Sequence, residues 1–544
     1  MSATKSSTEV IELSLVETWI ATDVSLPDAA IKIATASETL PIATNLSRVY
    51  SPPAVDKVTQ EVVPILFLVV AISLVVARLP KVDVGLSAAF KRRRIMNWLP
   101  LGLSYAFLYM GRYNMTSLID HGLITSKQFG EIDAVGAVVY GLAFLVNGPL
   151  CDRLGGRFTM LIATAGAAVA NLAIGIIYWK QGALPSVLTL TLLNAVNMYF
   201  QSFGAVSIVK VNASWFHLRE RGTFGGIFGI LISLGLYLAL DWAPKIADLT
   251  EWSPSLFVAP AIFIALTFVG SFIWVRDTPK DAGLGEFDVA DASSGDEGPP
   301  DKAWTIIKRL VTNRVILTIA LISGCSGFLR QGILKWFRTF ASGVGINVKD
   351  AAGHVANPSF IVQHWGMVSC CAGILGGVFA GVLSDHLFKS RRPPVAVALL
   401  GFLLVGSIAI IPALAAPIAV TFIVAFMAMA VIGVHGMLSG VASQDFGGRK
   451  NAGTATGLID GFVYFGTALQ ATVFGHILPE GKVLGPDGHT MISNPASKVM
   501  SNWYGWPIAM IIMAVIGIIL ALTVINARVQ PMKFVGPATA TEKT

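Results

Sequence analysis

Long apolar runs are the feature that most constrains how this chain can fold. A helix needs about 20 apolar residues to cross a hydrocarbon core about 30 Å thick. Only 13% of the 544 residues are charged and 54% are hydrophobic, which is too little charge for the surface of a soluble protein of this length. The sequence therefore predicts an all-α polytopic membrane protein. Twelve predicted spans cover residues 96–119, 131–150, 158–178, 185–209, 223–242, 255–275, 315–338, 359–383, 394–414, 418–441, 453–477 and 505–527.

The two ends of the chain lie outside these spans. Residues 1–61 are polar and rich in acidic side chains, which argues against a basic transit peptide, so we expect an extracytoplasmic extension. Residues 62–79 contain a short apolar run, Val62–Val76, that could also be a signal peptide, but no Ala-x-Ala-like cleavage site is visible. We predict an extra, uncleaved transmembrane helix here. Residues 528–544 form a polar tail.

Basic residues mark one side of the membrane. The net charge of +7 gives no indication of a nucleic-acid partner, because the arginines are divided among alternate loops. Loops with several basic residues, such as the one holding Arg153 and Arg157, alternate with loops that carry only Lys180 or Lys245. This alternation predicts that the arginine-rich loops and the C-terminus are cytoplasmic, in a plasma or inner membrane. The four cysteines suggest neither a disulfide framework nor a metal site, and we expect a monomer without cofactor.

The twelve spans divide into two sets of six. Residues 96–275 and 315–527 form the predicted halves, and residues 276–314 between them form the only long cytoplasmic segment. The middle of that segment, "DVADASSGDEGPPDK", is typical of a flexible linker. Six spans, a linker and six spans indicate an internal duplication that gives two pseudo-symmetric halves.

A repeated motif supports the duplication. Gly148 and Asp152, followed by Arg153, end the second span, and Gly381 and Asp385 occupy the matching place after the eighth. Glycine allows two helices to approach closely, and an aspartate near a helix end can hold basic residues and a neighbouring helix terminus. We expect these motifs to act in conformational switching.

Two arginines lie inside spans in matching places. Arg112, in "LYMGRYNM", is about 24 Å along its helix from Met96, and Arg330, in "GFLRQGILKWF", is about 22 Å from Val315. A charge this deep costs at least about 2.5–3.5 kcal/mol, and two facing guanidiniums repel each other. Acidic partners are scarce, because Asp460 is the only carboxylate well inside the second half. We therefore predict that an anion binds between the arginines, and buried ion pairs are the alternative.

Several segments of the chain resemble one family at this point: "GRYNM", "GPLCDR", "RERG", "VRDTPKDAGL", "FLRQGILKW" and "AGTATG". They are similar to the organophosphate:phosphate antiporters of the major facilitator superfamily, which include bacterial glycerol-3-phosphate and hexose-phosphate transporters. The resemblance covers residues 96–527 and implies the twelve-helix major facilitator fold. It implies that Arg112 and Arg330 bind a phosphoryl group and that Tyr105, Tyr109 and Gln201 line the same cavity.

A polar stripe on the fourth span includes that last residue. Asn194, Asn197 and Gln201 follow an i, i+3, i+7 spacing, which places them on one helix face. Such a stripe can line a cavity or join helices through hydrogen bonds. We expect Asn194 and Gln201 to line the substrate site.

The chain departs from the family at four positions. Phe144 replaces a lysine, Ile232 replaces a histidine, and Tyr113 replaces the basic residue that follows the first arginine. Asp460 stands where the family usually has a small residue. The site loses positive charge and gains a negative one, so a less highly charged anion would fit better. Asp460 is a candidate proton carrier or a counter-charge to Arg330 or Lys335.

These patterns predict a secondary transporter of a small organic anion, working by alternating access. Exchange of a phosphorylated metabolite for inorganic phosphate is the first expectation, and proton-coupled symport of a carboxylate is the alternative. A membrane sensor on the same fold is a further alternative, but no segment is large enough for a cytoplasmic output domain. The sequence offers no enzymatic constellation, since His364 and His435 are isolated in their spans.

Overall fold

The computed structural model describes residues 85–217, 220–289, 303–346, 348–349, 355–383, 387–388, 392–441, 452–484 and 491–526, together with Leu66 and Val70. The predicted N-terminal extension and C-terminal tail lie outside the described residues. So does the predicted extra helix at 62–79, apart from those two positions.

The described helices form two sets of six, which confirms the predicted fold class. In the N-terminal half they are α1 (Ala88–Asp120), α2 (Ser126–Leu154), α3 (Gly156–Gln181), α4 (Val187–Trp215), α5 (Arg221–Tyr237) and α6 (Ser255–Trp274). In the C-terminal half they are α7 (Arg314–Leu334), α8 (Trp365–Val382), α9 (Arg392–Ala413), α10 (Pro417–His435), α11 (Ala452–Ile477) and α12 (Gly505–Thr523).

Several helices are interrupted or extended. A π-helical turn, Leu238–Trp242, and a short helix, Ala243–Thr250, continue α5. After α7 the helix is interrupted at Lys335 and Trp336 and resumes as Phe337–Gly343, and a single turn, Phe360–Gln363, precedes α8. A second π-helical turn, Gly436–Val441, follows α10.

Two short antiparallel hairpins lie between helices of the second half. Val348–Lys349 pairs with Val355–Ala356 between α7 and α8. Lys482–Leu484 pairs with Met491–Ser493 between α11 and α12, with Lys482 opposite Ser493. The predicted linker ends in a helix, Ala303–Thr312, that the sequence analysis did not anticipate.

Ten of the described helices are long and apolar enough to cross a membrane. The two remaining predicted spans correspond to α1 and to α8, which counts as a shorter apolar helix. The inner part of α1 carries Arg112, Asn114 and three tyrosines, which lower its hydropathy. The chain is thus an integral, multi-pass membrane protein.

The segment after α6 braces the end of the bundle that carries the arginine-rich loops, here called the basic end. The Arg276 amide donates to Asn97 Oδ1 on α1 at 2.7 Å, and the Trp215 indole of α4 donates to the Arg276 carbonyl. Asp277 Oδ1 accepts from the Arg157 amide at 2.8 Å and so caps α3. Burial raises the pKa of Asp277. The "VRDTPKDAGL" segment therefore fastens α6 to three neighbouring helices.

Helices α2 and α11 pack against each other along most of their length, joining the two halves. Glycines on α2 meet glycines on α11 at three levels: Gly130 with Gly475, Gly141 with Gly461, and Gly148 with Gly453. A Cβ atom on Gly148 would lie 2.6 Å from the Gly453 carbonyl oxygen. This contact requires glycine because any side chain would separate the backbones.

Candidate substrate-binding site

Arg112 lies on α1 inside the bundle, with only 5% of its surface exposed. Its Nε donates to Gln201 Oε1 on α4 at 2.8 Å, and its Nη1 donates to the Tyr464 hydroxyl on α11 at 2.6 Å. One guanidinium therefore contacts both halves. Its Nη2 is buried and has no acceptor among the described residues.

Tyrosine rings surround this guanidinium. The centres of the Tyr109 and Tyr140 rings lie 4.6 Å and 4.8 Å from Arg112 Cζ, and those of Tyr105 and Tyr464 lie 6.0 Å and 5.9 Å from it. Tyr140 and Tyr464 stack with their centroids 3.8 Å apart. Ring faces stabilise a cation when water is excluded. The predicted positions Tyr105 and Tyr109 thus lie beside the arginine.

Arg330 lies on α7 and is 3% exposed. No hydrogen bond or ion pair joins it to the described residues, and its Nε is buried without an acceptor. Tyr105, Tyr109 and Tyr464 interact electrostatically with both Arg330 and Arg112. The two arginines therefore face one tyrosine cluster.

A chain of amides holds Arg112 from the α4 side. Gln201 Nε2 donates to Asn197 Oδ1 at 2.9 Å, and the Asn197 side chain donates to the Gly111 carbonyl. Asn171 on α3 donates to Asn197 and accepts from Asn114 at 2.7 Å. This network fixes the orientation of Gln201 and so of the guanidinium.

Asn194 belongs to a different contact. Its amide nitrogen lies 3.5 Å from the Ile132 carbonyl of α2, and it packs against Gly136. Of the predicted stripe, Asn197 and Gln201 join the arginine network, whereas Asn194 lies between α4 and α2.

Lys335 is a third buried cation near the arginines. Its Nζ lies 2.5 Å from Asp133 Oδ1 on α2, and both side chains are almost fully buried. Lys335 thus forms an ion pair with a carboxylate of the other half.

Asp460 lies on α11, one turn before Tyr464, and is partly exposed in a helix whose preceding residues are buried. Its charge acts on Tyr105. The carboxylate thus borders the tyrosine cluster from the second half.

Asp152 closes the basic end. It accepts hydrogen bonds from the Gly453 amide at 3.0 Å and the Thr454 amide at 2.8 Å, and from the Thr454 hydroxyl at 2.7 Å. It also pairs with Lys210 Nζ at 2.9 Å. The carboxylate caps the N-terminus of α11, where the helix dipole favours a negative charge.

The other motif positions have different surroundings. Gly148 makes the backbone contact with Gly453 described above, and Arg153 is exposed. In the second copy, Gly381 is exposed with open space around it, and Asp385 lies outside the described residues.

At the opposite end of the bundle, a carboxylate of each half caps a helix of the other half. Asp241 accepts from the Gly366 and Met367 amides at the start of α8, each at 2.8 Å. Glu480, which follows α11, accepts from the Lys127 amide at the start of α2 at 3.1 Å. These contacts hold the two halves together at this end.

Three of the four positions that depart from the family, Phe144, Tyr113 and Asp460, lie in or beside the tyrosine cluster. Phe144 is buried with its edge against Tyr464, at a centroid distance of 5.7 Å. The Tyr113 hydroxyl donates to Gln331 Oε1 on α7 at 3.0 Å. Ile232 is buried on α5. Phe144 and Ile232 are apolar, so neither supplies the charge that the family has there.

Sequence reasoning missed Tyr140 and Tyr464 as neighbours of Arg112, and it did not predict that Lys335 pairs with Asp133. Two signals were available for them. Tyr464 follows Asp460 by four residues and so shares its helix face, and Lys335 is a second cation within the quoted "FLRQGILKWF" segment. Tyr140 has no such local signal.

Several known proteins are similar to this chain. The family model described as "Major Facilitator Superfamily" matches residues 101–471 of this chain. The glycerol-3-phosphate transporter of Bacillus subtilis is 26% identical over 422 residues, covering 73% of this chain and 88% of that protein. A probable hexose phosphate transport protein of Chlamydia trachomatis is 25% identical over 468 residues, covering 82% and 93%.

Two further similarities complete the comparison. The membrane sensor protein UhpC of Escherichia coli is 25% identical over 471 residues, covering 82% of this chain and 95% of that protein. The crystal structure of the nucleoside transporter NupG covers 80% of this chain and 99% of its own, with a TM-score of 0.50 at 14% identity, which concerns the fold alone. With twelve helices in two halves and a family match over more than half its length, the chain belongs to the major facilitator superfamily.

Proposed function

We propose that this protein is a secondary transporter that exchanges a phosphorylated metabolite for inorganic phosphate. The observation that carries the proposal is the pair of buried guanidiniums, Arg112 and Arg330, on the equivalent helices α1 and α7. Each guanidinium keeps a buried N–H group that has no acceptor among the described residues. A phosphoryl group offers acceptors of matching geometry and charge.

The relatives support this substrate class. Three kinds of transporter among them are named for glycerol 3-phosphate, hexose phosphate and phosphoglycerate. Their common element is a phosphomonoester, and a site with two arginines and surrounding hydroxyls fits such a group without selecting the rest of the molecule.

Alternating access follows from the contacts between the halves. Asp152 joins them at the basic end, and Asp241 and Glu480 join them at the opposite end. Each set must open in turn for substrate to enter and leave. An anion held between Arg112 and Arg330 would remove their mutual repulsion and so favour the passage through the closed state.

The orientation and location are part of the proposal. The positive-inside rule places the basic end, with Arg153 and Arg157, in the cytoplasm. The C-terminus would lie on the same side, in a plasma or inner membrane. We infer that the protein acts as a monomer, because each half supplies one of the two arginines.

Proton-coupled symport of an organic anion is the second candidate, and Asp460 favours it. This carboxylate borders the tyrosine cluster, and in a membrane interior a carboxylate can carry a proton through part of the cycle. If it does so, Asp460→Asn would still exchange substrate but would lose uptake driven by a pH gradient.

Transport by purified protein in proteoliposomes tests the proposal. Vesicles loaded with inorganic phosphate should take up labelled glycerol 3-phosphate, and vesicles without internal phosphate should not. Uptake that needs a pH gradient instead of internal phosphate would favour the symporter. Binding of phosphate compounds without any transport would favour a sensor.

A further inference from the structure

The ion pair between Lys335 and Asp133 is the buried charged contact that the proposed function leaves unused. It joins α2 of one half to the end of α7 in the other, at an Nζ–Oδ1 distance of 2.5 Å. Asp133 Oδ2 is buried and accepts no hydrogen bond from the described residues. The Lys335 ammonium also lies 5.3 Å from the centre of the Tyr113 ring. The pair thus lies directly beside the tyrosine cluster.

Lys335 stands at the break in α7. The helix ends at Leu334 and resumes at Phe337. Tryptophan indoles satisfy two carbonyls exposed by this break: Trp365 donates to Leu334 at 3.0 Å and Trp506 donates to Gly332 at 2.9 Å. A helix that is already interrupted can change its backbone angles at the break without losing further internal hydrogen bonds. Lys335 is therefore placed where its side chain can be redirected.

The charges of Arg112 and Arg330 both act on Lys335. Arg330 precedes it by five residues, which is about 7.5 Å along the helix axis. Three buried cations thus lie around the tyrosine cluster, and Asp133 forms an ion pair with one of them. A phosphoryl group bound among these cations would compete with Asp133 for the Lys335 ammonium.

We propose that Lys335 is a third cationic residue of the substrate site, which pairs with Asp133 in the empty protein and transfers to the substrate's anionic group. This inference rests on the proposed phosphate-binding function. The transfer removes one tie between α2 and α7, so substrate occupancy loosens the contact between the halves. Asp133 therefore competes with the substrate's anionic group for the Lys335 ammonium.

A competition between Asp133 and the substrate predicts a different change in phosphate binding than a purely structural ion pair does. A structural pair is broken equally by Lys335→Met and Asp133→Asn, so both variants should then weaken binding alike. In a competition, removing the lysine weakens phosphate binding, whereas removing the aspartate frees the lysine and strengthens it. One hydrogen bond between charged groups corresponds to a change of about tenfold.

The test measures dissociation constants for glycerol 3-phosphate and inorganic phosphate with purified full-length protein. We expect Lys335→Met to raise both constants by about tenfold and Asp133→Asn to lower them by about tenfold. Glu131→Gln, at an exposed position two residues before Asp133, and the exposed Lys180→Met are the matched controls and should leave both constants unchanged.

A double variant that exchanges the two charges keeps the inference testable if a single variant fails to fold. The double variant Asp133→Lys with Lys335→Asp retains a buried pair between the halves but places a carboxylate next to Arg330. We expect it to bind phosphate at least tenfold more weakly than the unmodified protein. Normal binding by this variant, or equal losses in the two single variants, overturns the inference while leaving the proposed function standing. Absence of phosphate binding in the unmodified protein overturns both.

Discussion

Replacement of Asp152 by asparagine should open the basic end of the transporter. In the closed arrangement this carboxylate accepts three hydrogen bonds from Gly453 and Thr454 and pairs with Lys210. Hydrogen bonds to a charged group contribute about 1.5–3 kcal/mol each, and the helix dipole adds up to about 2 kcal/mol in a partly buried site. The neutral amide keeps one acceptor oxygen and loses the charge.

The change in the ratio of open to closed protein at the basic end follows from these values. The individual contributions are not additive, so we take a loss of about 3 kcal/mol from the closed basic end. Since about 1.4 kcal/mol corresponds to a factor of ten, the ratio of open to closed protein should rise roughly a hundredfold. Transport should fall, because a protein that remains open at one end completes few cycles.

Cysteine labelling measures this opening. Thr456 is buried on α11, one turn before Asp460, and so reports on access to the cavity from the basic end. In a background without the four native cysteines, Thr456→Cys should react at least tenfold faster with an impermeant maleimide when Asp152→Asn is present. Glu131→Gln, at the opposite end of α2, is the control. An unchanged labelling rate would refute the role of Asp152 in closing this end.

Three further predictions concern the site and the helix contact. Arg112→Lys and Arg330→Lys keep the charge but lose the planar fork, so each should reduce uptake at least tenfold in proteoliposomes while the protein still purifies as a folded monomer. Tyr464→Phe leaves Arg112 Nη1 without its acceptor, which should lower stability by about 1.5–3 kcal/mol in thermal unfolding, and saturating glycerol 3-phosphate should restore part of it. Gly457→Ala collides with the Phe144 carbonyl and should abolish most uptake, whereas Gly377→Ala, with open space around it, should transport normally.

The fold was predictable because the length of the apolar runs and the alternation of basic loops are properties of the sequence alone. The twelve spans, the division into halves and the equivalent depth of Arg112 and Arg330 all follow from spacing along single helices. The start of α1 at Ala88 was missed because Lys91 to Arg94 ended the apolar run, although Ser87 caps the helix there.

The partners of the arginines were less accessible to sequence reasoning. Tyr464 is 352 residues from Arg112, and Asp133 is 202 residues from Lys335, so their contacts depend on how the halves pack. Asn194 shows what helical spacing alone leaves open. Its helical spacing matches Gln201, but the close approach of α2 at Gly136 takes its side chain toward another helix. Periodicity identifies a face, and only packing determines what that face meets.

The central claim is that the two buried arginines bind the phosphoryl group of a transported metabolite. Counterflow in proteoliposomes loaded with inorganic phosphate tests it most directly, with labelled glycerol 3-phosphate outside and the Arg112→Lys, Arg330→Lys and unmodified proteins compared. The account predicts phosphate-dependent uptake by the unmodified protein and loss of most uptake in both variants. Normal counterflow in both lysine variants, or no dependence on internal phosphate, would contradict it.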